Sequence, residues 1–329
     1  MRNKLLYLIF GLSLLLGACS KEDVVTPNEG NNPIEITFSV SSFTKGADKM
    51  RGIVNDQGSL LERKVESLYL LLFKNDGTNP KRYYINAGTF ADGTWSTVDN
   101  KITLNLTQKQ AGERQVYIIA NVDNGMKTKL DAVNSVADLT KTIYMTTVQP
   151  WSPNIKSSFL MSGNKSHNFN TNYQLKTVPL IRAVAKIELT IKLSSKFYSM
   201  KVDDIRYRFV DFDKKTYVIK PNTKPDDLVS SSNSVFPNIA DWNKWGASLN
   251  MTPIPDYGFG YKEQGDNLVE LKVITYINER DNKGAKIELA LYPEDTGILP
   301  PPEFGPEFYA IPFPDKIERN HWYKYDIEI

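Results

Sequence analysis

Apolar and polar residues alternate one by one along most of this chain, the period of a half-buried strand. In Ile34-Glu35-Ile36-Thr37-Phe38-Ser39-Val40 every apolar side chain falls on one face, and Lys101-Ile102-Thr103-Leu104-Asn105-Leu106 repeats the pattern. Two runs, VESLYLLLF (65–73) and QVYIIANV (115–122), are apolar on both faces. They predict central strands covered on each side. Turn chemistry in NDGTNP (75–80) and FADGTW (90–95) separates the strands. Alternation resumes in PLIRAVAKIELTIKL (179–193) and continues in DIRYRFVDF (204–212), LVELKVITYI (268–277), AKIELALYP (285–293) and HWYKYDIEI (321–329). In the last of these, Tyr323, Tyr325, Ile327 and Ile329 share a face. NSVADLTKTI (134–143) alone carries helical spacing behind an Asn/Ser cap. Many short strands, polar turns and one minor helix predict an all-β protein. Its two β-sandwich domains run in tandem over 34–175 and 176–329, with long loops at 213–267 and 294–318.

The first residues break the pattern. Arg2 and Lys4 precede an apolar run (5–16) that is too short to span a bilayer. Gly17 and Ala18 then stand directly before Cys19. This resembles a bacterial lipoprotein signal, which implies lipidation of Cys19 and removal of residues 1–18. Cys19 is the only cysteine, so it forms no internal disulfide. Residues 19–33 are polar and aperiodic, the composition of a flexible tether. Within them, SKED (20–23) resembles the acidic signal that directs lipoproteins to the outside of the outer membrane.

Charge and chemistry narrow the function. The formal net charge is +2 and no basic stripe interleaves with aromatics, which argues against nucleic acid as a partner. No nucleophile, base and metal set stands in a workable pattern, so the expectation is a non-enzyme with no catalytic residue, metal or cofactor. His167 and His321 are the only histidines. His321 reads as a packed residue at a strand start. The carboxylates of DFD (211–213) and of the DD pairs (203–204, 226–227) read as turn and surface residues, and NDQG (55–58) lacks the remaining ligands of a calcium loop. Trp242 and Trp245, in ADWNKWG (240–246), offer two alternatives. They are an exposed pair that stacks on a sugar face, or anchors that tie their own loop to the sandwich.

Taken in order, the lipoprotein signal, the first strand, the basic loop with Arg51, VESLYLLLFKNDG (65–77), VYIIANV (116–122), FLMSG (159–163), LIRAVAKIELTI (180–191) and RNHWYKYDIEI (319–329) resemble the fimbrillin family of type V pili. These are the lipoprotein-derived fimbrial subunits of Gram-negative anaerobes. The resemblance covers nearly the whole chain. It implies two transthyretin-like β-sandwich domains and passage to the outer membrane on a lipid anchor. It also implies a cut by an arginine-specific protease in the loop behind the first strand. The matching bond here is Arg51–Gly52, and strand 34–40 would leave with the anchor. Lys45, Lys49 and Arg63 are also basic, but only an arginine matches, and Arg63 lies close to the next strand.

Ile34, Ile36, Phe38 and Val40 would then fill a cleft whose burial is worth on the order of 6–12 kcal/mol gross. A strand from another subunit can replace them, with main-chain hydrogen bonds and pocketed side chains. Many stalk fimbrillins continue past the last sandwich strand with a donor segment, whereas this chain stops at Ile329. That predicts a tip or minor accessory subunit with a role in adhesion, first lipid-anchored in the outer membrane and then part of the extracellular fimbrium. Its expected partners are other fimbrial subunits, the protease and a host or bacterial surface ligand. Three alternatives stay open. Tyr323, Tyr325, Ile327 and Ile329 could themselves form a donor strand. The subunit could be an uncleaved base anchor. Or the protein is a surface glycan-binding lipoprotein that uses Trp242 or Trp245.

Overall fold

The two runs that are apolar on both faces lie in the middle of the first domain. In the computed structural model, which describes residues 30–45, 56–145, 158–213, 215–222, 229–230, 242–245, 258–281, 283–293 and 305–329, they form adjacent antiparallel strands. The first part of the chain forms β1 (Pro33–Val40), β2 (Thr44–Lys45), β3 (Leu68–Lys74), β4 (Lys81–Ile85), β5 (Thr89–Phe90), β6 (Gly93–Ser96) and β7 (Lys101–Thr107). It continues with β8 (Glu113–Ala120), β9 (Ile143–Met145), β10 (Met161–Asn168) and β11 (Gln174–Arg182). One sheet runs β4-β3-β8-β10-β11-β1-β7-β6-β5. It folds over on itself, because Leu68, Leu70, Leu72, Val116 and Ile118 from one half share a core with Ile34, Ile36, Phe38, Ile102, Leu104 and Leu180 from the other. The two halves meet where β10 and β11 pair only at Met161↔Arg182 and Ser162↔Ile181.

The outer face of β3 and β8 explains their double-sided hydrophobicity. Tyr69, Leu71, Phe73, Tyr117 and Ile119 pack there against Met126, Leu130 and Leu139. These come from α3 (Asn124–Asp131) and α4 (Val136–Thr140), which follow the single-turn helices α1 (Leu60–Arg63) and α2 (Gln108–Ala111). The predicted helix is α4, started by a capping box on Ser135 and Asp138. Helix α3 was not apparent in the pattern, since only Met126 and Leu130 of its eight residues are buried.

The second domain contains β12 (Val184–Lys192), β13 (Arg206–Val210), β14 (Phe212–Asp213), β15 (Lys215–Tyr217), β16 (Val229–Ser230) and β17 (Asn243–Lys244). It ends with β18 (Gly258–Gln264), β19 (Asn267–Asn278), β20 (Lys286–Leu291), β21 (Glu307–Pro312) and β22 (His321–Glu328). Sheet β18-β19-β12-β22-β2 packs on sheet β17-β13-β20-β21 over a core that includes Ile187, Leu189, Leu271, Ile287, Leu289 and Tyr323. The run 179–193 is therefore two strands rather than one. Residues up to Arg182 belong to the first sheet and those from Val184 to the second. The phase of the alternation slips between Leu180, which faces the first core, and Ala185, which faces the second. The crossover thus falls at Ala183, beyond residue 176.

Strand pairing and a shared core help to join the domains. β9 pairs with β15, Val218 enters the helix-covered core of the first domain, and β2 pairs in parallel with β22.

Candidate functional site

Strand β1 is an interior strand, hydrogen-bonded on both sides. It pairs in parallel with β11 from Glu35↔Gln174 to Val40↔Leu180, and antiparallel with β7 from Ile34↔Leu104 to Thr37↔Lys101. Ile34 and Ile36 are fully buried, Phe38 is nearly so, and Val40 packs on the same core while partly exposed. Burying the first three is worth roughly 5–9 kcal/mol gross. The opposite face is polar. Glu35 pairs with Lys101 at 3.4 Å and accepts from Gln174 at 2.9 Å, and the Thr37 hydroxyl accepts from the Thr177 amide at 2.8 Å. Without β1 the sheet would open between β7 and β11, leaving two unpaired edges along an apolar slot.

The segment does not end at Val40. Ser41 donates its amide to Leu180, and the chain then passes from the first domain to the second. Phe43 is fully buried at the junction, its ring 4.1 Å from the Arg182 guanidinium carbon. Thr44 and Lys45 pair with His321 and Trp322 of β22. Arg182 is itself fully buried. Its Nη1 donates to Ser41 O and to Asn320 Oδ1, at 2.7 and 2.8 Å, and its Nε donates to Glu62 O at 2.7 Å. Asn320 answers by donating Nδ2 to Ser42 O at 2.7 Å and accepting the Thr44 amide at 2.9 Å.

Charges around this junction are matched. Lys186 Nζ lies 2.9 Å from Asp56 Oδ2 and 3.1 Å from Glu62 Oε1, and Tyr276 donates its hydroxyl to Glu62. Burial pulls the Arg182 guanidinium down to about 10, against the pull of Glu62, so it stays charged at neutral pH. Burial also opposes the Lys186 charge, but Glu62 and Asp56 outweigh it and hold its pKa above that of an ordinary lysine. For Asp56, burial raises the carboxyl. The Lys186 ammonium and the Gly58 amide outweigh that effect and keep it below the usual range.

The other sequence-derived candidates fall into three groups. Cys19, Arg51 and Gly52 lie outside the described residues. Tyr323, Tyr325, Ile327 and Ile329 belong to or adjoin β22, an integral strand of the second sandwich. It pairs with β12 from Lys186↔Trp322 to Lys192↔Glu328, and its inner face meets the second core. Trp242 and Trp245 are not an exposed pair. They are 5% and 2% exposed. Trp245 donates its indole N–H to Gly260 O at 3.0 Å and stands edge-on to Tyr207 and Phe259. Trp242 lies under the Arg208 guanidinium, 4.6 Å from its ring centre. Large aromatic surfaces gain most by such burial, and neither ring presents a free face to a sugar.

The junction cluster escaped sequence reasoning. Its signals were there: a lone Arg182 inside an apolar strand run, and Phe43 three residues past Val40, out of phase with the strand.

Residues 26–226 match the family of fimbrillin-A associated anchor proteins Mfa1 and Mfa2, and residues 183–328 match the C-terminal part of the minor fimbrium tip subunit MfA4. The minor fimbrium tip subunit MfA4 of Porphyromonas gingivalis is 51% identical over 336 residues, covering all of both chains. Among solved structures, a candidate cell adhesion protein of Parabacteroides distasonis superposes with a TM-score of 0.51 at 12% identity, over 91% of this chain and 89% of its own. That likeness concerns the fold alone.

Proposed function

We propose, from the premise that the chain belongs to the minor fimbrium tip subunit MfA4 family, that it is a structural, non-enzymatic subunit of a cell-surface fimbria, at the tip or as a minor accessory, with a role in adhesion. It reaches the outer membrane as a lipoprotein on Cys19. An arginine-specific protease then hydrolyses the Arg51–Gly52 bond, and the N-terminal segment departs with its anchor. A strand of another subunit takes the vacated place. The observation that carries this reading is the position of β1. Among the described residues it is the only strand of its half-sheet that precedes the proposed cut, yet it lies between β7 and β11 with its apolar face in the core. Arg63 is a poorer site for the cut. It sits in the helical turn α1, with its amide bonded to Ser59 O and the buried Glu62 beside it.

N-terminal sequencing of the protein recovered from assembled fimbriae tests the proposal. A start at Gly52 is expected. A start at Cys19 would instead indicate an uncleaved anchor and would defeat strand exchange in the mature fibre.

A further inference from the structure

Burial and hydrogen bonding of residues 41–45 show that the removable segment fills more than the first sandwich. Its backbone, not its side chains, satisfies the junction. Ser41 O and Ser42 O accept from Arg182 and Asn320, and the Thr44 amide donates to Asn320 O. Any extended chain can make those bonds. The single side chain that selects is Phe43, enclosed with the Arg182 guanidinium at 4.1 Å and the Lys186 ammonium at 5.6 Å from its ring. An aromatic face suits two buried cations better than an aliphatic group of similar size. Departure of the segment would take from the Arg182 guanidinium one acceptor, Ser41 O, and its ring contact with Phe43, both of which an incoming strand would restore.

We infer that the subunit-binding groove spans both domains and ends in an aromatic-selective pocket at their junction, and that its occupant is a strand of a second fimbrial subunit bearing an aromatic side chain five residues beyond the anchor that seats where Phe38 sits. This rests on the strand-exchange reading and adds to it a specificity determinant. The incoming strand is read first by aliphatic pockets in the first sandwich. It is then read by the Phe43 pocket, with its last residues laid along His321 and Trp322 of β22.

The test uses the full chain with residues 46–55 replaced by a sequence-specific protease site. After cutting and exchange of the N-terminal fragment, fluorescent peptides of residues 33–45, the same peptide with Phe43→Ala or Phe43→Leu, and residues 33–40 alone are bound, and their release is timed. The 33–45 peptide should leave about tenfold or more slowly than the alanine peptide and the 33–40 peptide. The leucine peptide should fall between. Equal release rates for all four overturn the junction pocket while leaving exchange in the first sandwich intact. A leucine peptide as slow as the native one overturns the aromatic requirement. Binding by none of them overturns the strand-exchange reading and this inference with it.

Discussion

At the scale of single residues, the decisive groups are charged side chains that the fold takes out of water. Asp56 and Lys186 belong to different domains, and their contact at 2.9 Å flanks the buried Phe43. Asp56 has its pKa depressed in the folded state, so its contribution is present above the ordinary carboxylate value and is lost as pH falls through the lowered one. Lys186 has a raised pKa, so its contribution is full below the ordinary lysine value and is lost only as pH rises through the raised one. Stability from this pair is therefore flat between about pH 5 and 9 and declines below about pH 4. Asp56→Asn should cost about 1–2 kcal/mol at pH 7 in urea denaturation. The gap to the native protein should then shrink as the pH is lowered to about 3. A gap that does not change with pH would assign the loss to packing rather than to charge.

At the scale of elements, the sequence was most informative where one side-chain period dominated. The alternation in 34–40 and 101–106 gives β1 and β7 with the buried faces as read, and the double-sided runs give β3 and β8 between two cores. It was least informative where tertiary contact decides. Helix α3 hides because two buried side chains on the outer face of a sheet suffice to hold it, too few to create a visible stripe. The junction hides because Arg182 and Glu62 are charged and by type belong on the surface. Only the fold brings Ser41, Gln57 and Asn320 to Arg182, and Lys186 and Tyr276 to Glu62, as partners.

Gly163, the last residue of FLMSG (159–163), is a further case. Its motif was legible but its reason was not. A Cβ there would stand 2.1 Å from Pro179 O across the β10–β11 corner, so the two halves of the folded sheet can meet only at a glycine. Gly163→Ala should destabilise the protein by about 1–3 kcal/mol and lower its melting temperature. On β1, Ile36→Ala should cost about 2–4 kcal/mol, whereas Ser39→Ala on the outer face should stay within about 0.5 kcal/mol. Equal effects of the two β1 changes would contradict the one-sided burial on which the slot depends.

At the scale of the whole molecule, the N-terminal segment and the last strand are linked, because β2 lies on β22 while β1 lies in the first sheet. Removing the segment should therefore be felt in two domains at once, while most of the second sandwich holds. β22 keeps its ladder to β12, and Tyr323 remains inside the second core. Ile329 donates its amide to Lys192 O and accepts from Ser194, which pins the end of that ladder. Pulling β22 out as a donor would break this pairing and expose the apolar side chains on its inner face, a cost with no compensating contact inside the same subunit.

Hydrogen exchange on the chain cut between residues 46 and 55 and freed of its fragment should thus show loss of protection along β7 and β11 and around His321. Protection should persist from Tyr323 to Glu328. The same preparation, incubated alone, should remain monomeric or form only short, dissociable species in size-exclusion chromatography. It should bind a strand-bearing partner subunit through the opened groove. Collapse of protection along all of β22 together with long, denaturant-resistant polymers would show that the terminal strand is itself the donor. The protein would then have to be a subunit that extends the fibre rather than one that ends it.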